Sequence, residues 1–209
     1  MAADRDHGRY HYPEFEVMAQ ADHWDPHTRD IVERRQQVQS LQACQYLNMR
    51  EADTLFQLCG VLLDDWRMPV LAFVVHHFDA TLQAGVGESQ RKVGVPAGAV
   101  LIREGLRLLD RLCSDRYGVP FASAEADNRK QIVQALMDGN AQLAAGHGHG
   151  ASFPAADFMN KIVSDAVAAY YSHPAVWSEI GYAGPAYPRG YVRSGLGLTD
   201  PWEATRDGK

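Results

Sequence analysis

Histidines, cysteines and carboxylates are the residues here that could hold a metal or move a proton. His76 and His77 are adjacent within a stretch patterned as a helix. Successive helical residues point about 100° apart, so the two do not readily share one ion. His77 borders the apolar stripe and reads as a hydrogen-bonded core histidine. His147 and His149, in GHGHG, have suitable donor atoms for a transition metal. Their glycine-rich setting offers no preorganisation, and no carboxylate triad stands beside them, so a solvated loop is the ordinary reading. Asp64, Asp65 and Asp115 fall near helix ends, where paired carboxylates do acid–base work only if their surroundings separate their pKa values. The three cysteines, Cys44, Cys59 and Cys113, cannot all pair and have no CxxC or Cys/His metal spacing. Two of them lie in helix-like apolar stretches, where a free cysteine reads as a small hydrophobe. No GxSxG, no P-loop and no GxGxxG after a strand is present, so no nucleotide or nucleophile motif supports an enzyme.

The other concentration of functional side chains is aromatic. AAYYSHPAVWSEIGYAGPAYPRGYVRSG, residues 168–195, strings Tyr170, Tyr171, Trp177, Tyr182, Tyr187 and Tyr191 between prolines and glycines. Tyrosine and tryptophan bury large areas while freezing few rotors, and they keep a polar tip, which suits them to interfaces. Prolines and fixed turns lower the ordering cost of such a strap. The expectation is a preordered segment, partly packed on its own chain and partly docking another protein.

The elements that must carry these residues are helical. Residues 1–24 read as an extended N-terminal arm. Asp25 and Pro26 mark a helix start as N-cap and first helical residue. Asn48 with Glu51 resembles a capping box. From there Ala52, Leu55, Phe56, Cys59, Leu62, Leu63 and Trp66 recur at helical spacing, leaving Thr54, Gln57 and Asp65 for solvent. After Pro69 a second stripe, Val70, Leu71, Val74, Val75, Phe78 and Leu82, would pack beside the first. Residues 84–95 form a glycine-rich loop, and Pro96 opens a helix carrying Leu101, Ile102, Gly105, Leu108, Leu109 and Leu112. Glycine on a buried stripe costs roughly 1 kcal/mol relative to alanine, so Gly105 suggests a close approach by a neighbour. Ser123 is expected to cap a helix running to Met137 and closed by Gly139. Pro154 opens a last long helix, which His173-Pro174 should end. With no two-residue alternation and no hairpin turn, the fold class is all-α: a helical bundle, residues 25–172, between the arm and an irregular aromatic tail, residues 173–209.

Composition agrees with a folded soluble chain of 209 residues, 46% hydrophobic and 22% charged. The net charge of −6 without a basic stripe argues against nucleic acid and anionic membrane surfaces as partners. The longest apolar run, VLAFVV at 70–75, is far below a membrane span. The first residues show neither paired arginines nor an apolar core, so the expectation is a cytoplasmic chain, or one exported with a partner that has its own signal.

YYSHPAVWSEIGYAGPAYPRGYVR, followed by DPWEA at 200–204, resembles the C-terminal signature of the gluconate 2-dehydrogenase subunit 3 family. FEVMAQADHWDPHTRDIVERR, LNMREADTLFQLCGVLLDD, REGLRLLD and YGVPFASA follow in the family's order, so the resemblance covers most of residues 15–204. It implies a non-catalytic small subunit that supports folding, stability and often export of a large partner. That partner carries FAD, belongs to the glucose–methanol–choline oxidoreductase class and oxidises a sugar, sugar acid or related alcohol. Electrons then pass to a cytochrome c or another acceptor. No cofactor is implied in this chain, nor any catalytic residue. The chain departs from the family in lacking a twin-arginine signal and in reading Leu-Leu-Asp-Asp at 62–65 where Pro-Gln-Asp is usual.

The candidate contact residues are Tyr171, His173, Trp177, Tyr182, Tyr187, Pro188, Arg189 and Tyr191, touching the partner or shaping the contact. Arg189 would offer a planar fork to partner carboxylates or carbonyls. Two other readings stand beside this one: a stand-alone metalloenzyme using His76, His77, His147 and His149, and a chaperone that leaves once the flavoprotein has folded.

Overall fold

The computed structural model describes residues 12, 14–85, 92–139, 153–193, 195, 198 and 200–204. Among these there are helices and no strands. The chain divides into two compact units, residues 39–169 and residues 1–38 with 170–209.

Among its described residues, the 39–169 unit holds five long helices: α2 (Met49–Leu63), α3 (Met68–Ala84), α4 (Gly98–Tyr117), α5 (Ala126–Met137) and α6 (Ala155–Tyr170), the last residue of which begins the other unit. Helix α2 starts on the expected capping box: Asn48 accepts from Glu51 N and Glu51 accepts from Asn48 N. Its apolar stripe packs with those of α3, α4 and α5. Leu55, Leu58, Leu71, Phe78, Ile102, Leu109, Phe121, Ile132, Phe158 and Ile162 are wholly buried. At about 1.5–3 kcal/mol for each large apolar side chain removed from water, these contacts dominate the unit's stability. Gly105 meets the close approach expected of it, because a Cβ there would overlap the Phe158 ring.

Three side chains of this unit depart from the helical-wheel reading. Trp66 falls beyond the end of α2 and is 44% exposed. Its ring covers Gly60, and the Arg129 guanidinium carbon lies 5.4 Å from its centroid. Thr54 and Asp65, expected in solvent, are each 1% exposed. Asp65 is buried because Arg67 closes on it, from its backbone N–H at 2.9 Å and through its guanidinium. Asp64 takes the left-handed conformation (φ 49°) that makes this turn possible. Thr54 lies at the foot of the groove that α2 forms with Leu106, Arg107 and Asp110 of α4, a side of α2 that the apolar spacing left blank.

Helix α5 begins at Ala126 rather than after Ser123. Residues Phe121–Ser123 form a 3-10 turn instead. Asp110 on α4 accepts from Phe121 N at 3.1 Å, and the buried Phe121 side chain pins that turn ahead of the helix. Gly139 closes α5 with φ 68°, as its position suggested.

The other unit contains α1 (Pro26–Gln36) and α7 (Pro174–Ile180), with a 3-10 helix at Val17–His23. Asp25 caps α1 by accepting from His27 N and Thr28 N. Within the arm, therefore, residues 17–23 are coiled, not extended. Val17, Trp24 and Val32 pack with Trp177 into a small core. Ser178 Oγ joins the two ends of the chain, accepting from Val17 N at 3.1 Å and donating toward Glu16 Oε1 at 3.1 Å. Gly184, at φ 82°, lies under the Trp24 ring, where a Cβ would not fit.

Candidate partner-docking site

His173-Pro174 ends α6 as expected, but the same pair also starts α7. His173 Nδ1 accepts from Ala175 N at 3.1 Å, and Pro174 occupies the first helical position, where no N–H is needed. The tail after His173 thus opens with two turns of helix before it becomes irregular. His173 is 3% exposed and acts as a cap rather than as a surface group.

Trp177 projects from α7 into its own unit and is 6% exposed. Its Nε1–H donates to Tyr171 O at 2.5 Å. Tyr182 meets the ring edge-on, with centroids 5.3 Å apart, and the Arg35 guanidinium lies 5.5 Å from its centre. Trp177 therefore shapes the surface and does not form it. Around it Tyr171 is 52% exposed and Tyr182 44%. Burial is the main cause raising the Tyr182 phenol above its ordinary pKa; proximity to Tyr191 adds to it and Arg189 opposes it.

Tyr187 and Tyr191 stand farthest out, 72% and 76% exposed, on either side of Pro188 and Arg189. The Tyr187–Pro188 peptide is cis, and Pro188 is exposed. Arg189 does not extend a free fork. Its Nη2 donates to Ala183 O at 2.6 Å and Pro185 O at 3.3 Å, and the guanidinium lies 4.9 Å from the Trp202 ring centre. Burial holds its pKa below the usual arginine value. The loop bearing Tyr191 is fastened by Asp200, which accepts from Val192 N at 3.0 Å and Arg193 N at 2.7 Å. Glu203 accepts in turn from Asp200 N. Sequence reasoning missed Asp200, Glu203 and Trp202 as the framework of this site, although the Asp-x-x-Glu spacing of DPWE is the signal of a side chain reaching back to a backbone N–H three residues earlier, as Glu203 does to Asp200 N.

Among the described residues no group of three or more histidine, cysteine, aspartate or glutamate side chains is placed to hold a metal ion. His76 Nε2 lies 3.2 Å from Ser40 O and 4.0 Å from Cys44 Sγ, while burial and Asp79 push the Cys44 thiol up to about 11. His147 and His149 lie outside the described residues. A groove of about 370 Å³ between α2 and α4 is crossed by the Arg50–Asp110 ion pair at 2.8 Å. No described helix is long and apolar enough to cross a membrane.

A family model described as gluconate 2-dehydrogenase subunit 3 matches residues 49–184. The match runs from α2 through Trp177 and Tyr182 and stops before Tyr187. No curated protein and no solved structure matches the chain.

Proposed function

The chain belongs to the gluconate 2-dehydrogenase subunit 3 family, and from that premise we propose that it is the non-catalytic small subunit of a heteromeric FAD-dependent dehydrogenase. The flavin resides in the large partner, which oxidises a sugar, sugar acid or related alcohol and passes electrons to a cytochrome c or another acceptor. This chain stabilises that partner and assists its maturation. Tyr171, Tyr182, Tyr187, Pro188 and Tyr191 contact the partner, while His173, Trp177 and Arg189 hold the contact surface in shape.

The observation that supports this reading best is the exposure of four tyrosines on a segment that is itself tightly built. Exposed aromatic area fixed on an ordered frame is the usual anatomy of an interface, because the ordering cost has been met before binding.

Co-expression with the large flavoprotein and a pull-down on this chain tests the proposal. The expected result is a yellow, equimolar complex, alongside a colourless small chain when it is expressed alone. A monomeric chain that carries stoichiometric metal and retains no flavoprotein would refute it.

A further inference from the structure

The groove of about 370 Å³ between α2 and α4 is at the small end of the range for ligand pockets. Its hydrogen-bonding capacity is lopsided. Two of the carboxylates that line it are largely buried and already committed. Asp110, with its side chain 13% exposed, accepts from Phe121 N through Oδ1 and from Arg50 through Oδ2. Glu51, 11% exposed, accepts from Asn48 N and pairs with Arg103 at 3.3 Å. Asn48 Oδ1 accepts from Glu51 N. Asp115 also lines the groove and is exposed.

The donors, by contrast, are in surplus. Arg50 turns Nε and Nη2 to Asp110, which leaves Nη1. Arg107 gives Nη1 to Glu104 at 2.7 Å, which leaves Nε and Nη2. Arg111, one turn further along α4, has no partner among the described residues and keeps every N–H of its guanidinium. Like charges four apart on a helix repel, and an anion lying against Arg107 and Arg111 relieves that repulsion. At the foot of the groove Thr54 is 1% exposed, and its hydroxyl has no hydrogen-bond partner among the described residues. A buried hydroxyl in that state is costly, and a bound acceptor removes the cost. Threonine in a helix divides between two χ1 rotamers, so the hydroxyl can meet an acceptor at the groove foot without moving the backbone.

We propose that this groove binds a small hydroxylated organic anion, a carboxylate or a phosphate. Arg107 and Arg111 take the oxyanion, whose oxygens match the guanidinium fork. Thr54 donates to a ligand oxygen at the foot, and the exposed Ser114 and Asp115 accept from ligand hydroxyls. A cation is disfavoured, because three guanidiniums surround the groove and its two inner carboxylates are already bonded. An apolar molecule would leave Thr54 unpaired and strip water from the arginines. The site lies within the 39–169 unit and needs no residue of the tyrosine-bearing tail, so the inference goes beyond the subunit reading and stands apart from it.

Calorimetric titration of the full chain with glycerate, glycerol 3-phosphate and glycerol, in about 50 mM NaCl, provides the test. At least one of the two anions is expected to saturate a single site with a dissociation constant below about 2 mM, and glycerol is expected not to bind. Preference for one anion would identify the oxyanion as carboxylate or phosphate. Arg107→Gln and Arg111→Gln should each weaken binding at least fivefold and Thr54→Val at least threefold, with a cooperative thermal transition showing that each variant is folded. Arg116→Gln, on α4 but outside the groove, should change the affinity less than twofold and so separates a site from general surface charge. Failure of both anions to saturate by about 20 mM would overturn the proposal. So would an affinity unaltered by Arg111→Gln or by Thr54→Val, or a loss from Arg116→Gln as large as that from Arg111→Gln. None of these results bears on whether the flavoprotein complex forms.

Discussion

Replacing Gly105 by alanine sets two effects of known size against each other. Alanine in a helix interior is favoured over glycine by about 1 kcal/mol, and burying one more methyl adds roughly 0.8 kcal/mol. At this position, however, three ring carbons of Phe158 would each lie under 3.0 Å from the new Cβ. Phe158 is wholly buried and tilted against Phe153 at 5.9 Å between centroids, so the ring has little room to withdraw. Overpacking a tight core costs about 1–3 kcal/mol and occasionally more, and an overlap with three atoms belongs at or above the upper end. The expected net effect is a loss of about 1–2 kcal/mol, measured by urea unfolding with the slope checked for constancy. Phe158→Leu should relieve part of the loss, so that the double variant is more stable than the sum of the single changes predicts, by about 1 kcal/mol or more. Gly105→Ala that matches or exceeds the parent in stability would refute the reasoning, because helix propensity would then have won and the close approach would not constrain the packing.

Other substitutions probe buried polar groups. The Thr54 hydroxyl is buried without a hydrogen-bond partner among the described residues, so Thr54→Val, nearly isosteric, should raise stability by about 1 kcal/mol; a lower unfolding midpoint would show that the hydroxyl is satisfied after all. Asp79, 4% exposed, accepts from Gln45 N, Tyr46 N and Leu47 N at 2.7–2.9 Å. Asp79→Ala should therefore cost about 3–5 kcal/mol and Asp79→Asn less, and a loss under about 1 kcal/mol for alanine would discount that loop anchor. Burial pushes the Cys59 thiol from 9.0 to about 12. Because its folded pKa is raised, its contribution is complete below pH 9 and is lost as pH rises from 9 towards 12, by up to about 1.4 kcal/mol per pH unit. Unfolding curves across that range should show the slope in the parent and a shallower one in Cys59→Ala; equal slopes would contradict the assignment.

Much of the fold was legible because its signals are local. Asp25-Pro26 and Asn48 with Glu51 give helix starts from side chains that satisfy backbone N–H groups within three residues, and those bonds form as expected. Gly105 on an apolar stripe announced a close neighbour, though not that the neighbour is Phe158. The misreadings arise where distant residues decide. Thr54 is buried because it lies at the foot of a groove that α4 walls, and helical spacing within α2 says nothing of that. Ser123 looks like a cap in isolation, but Asp110 and the buried Phe121 claim its turn. In the candidate site, composition indicated that the aromatic rings matter. It did not indicate which would turn inward. Trp177 and Arg189 find partners in Tyr171, Tyr182, Ala183 and Trp202, and these contacts depend on the tail's exact path, which no periodicity records. Tyr187 and Tyr191 remain outside because nothing comparable encloses them.

The unit that bears the tyrosines is assembled from residues 1–38 and 170–209, so its two halves are separated by about 130 residues of intervening chain. A ribosome adding about 5–20 residues per second needs roughly 7–26 s to cross that interval. Val17, Trp24 and Val32 must wait that long for Trp177, while residues 39–169 can already condense. The tyrosine face consequently exists only on chains translated past Trp177 and into the Asp200 segment. Products truncated before it would lack it, and a large subunit that recognises this face would take up only copies translated through these segments, without any separate proofreading step.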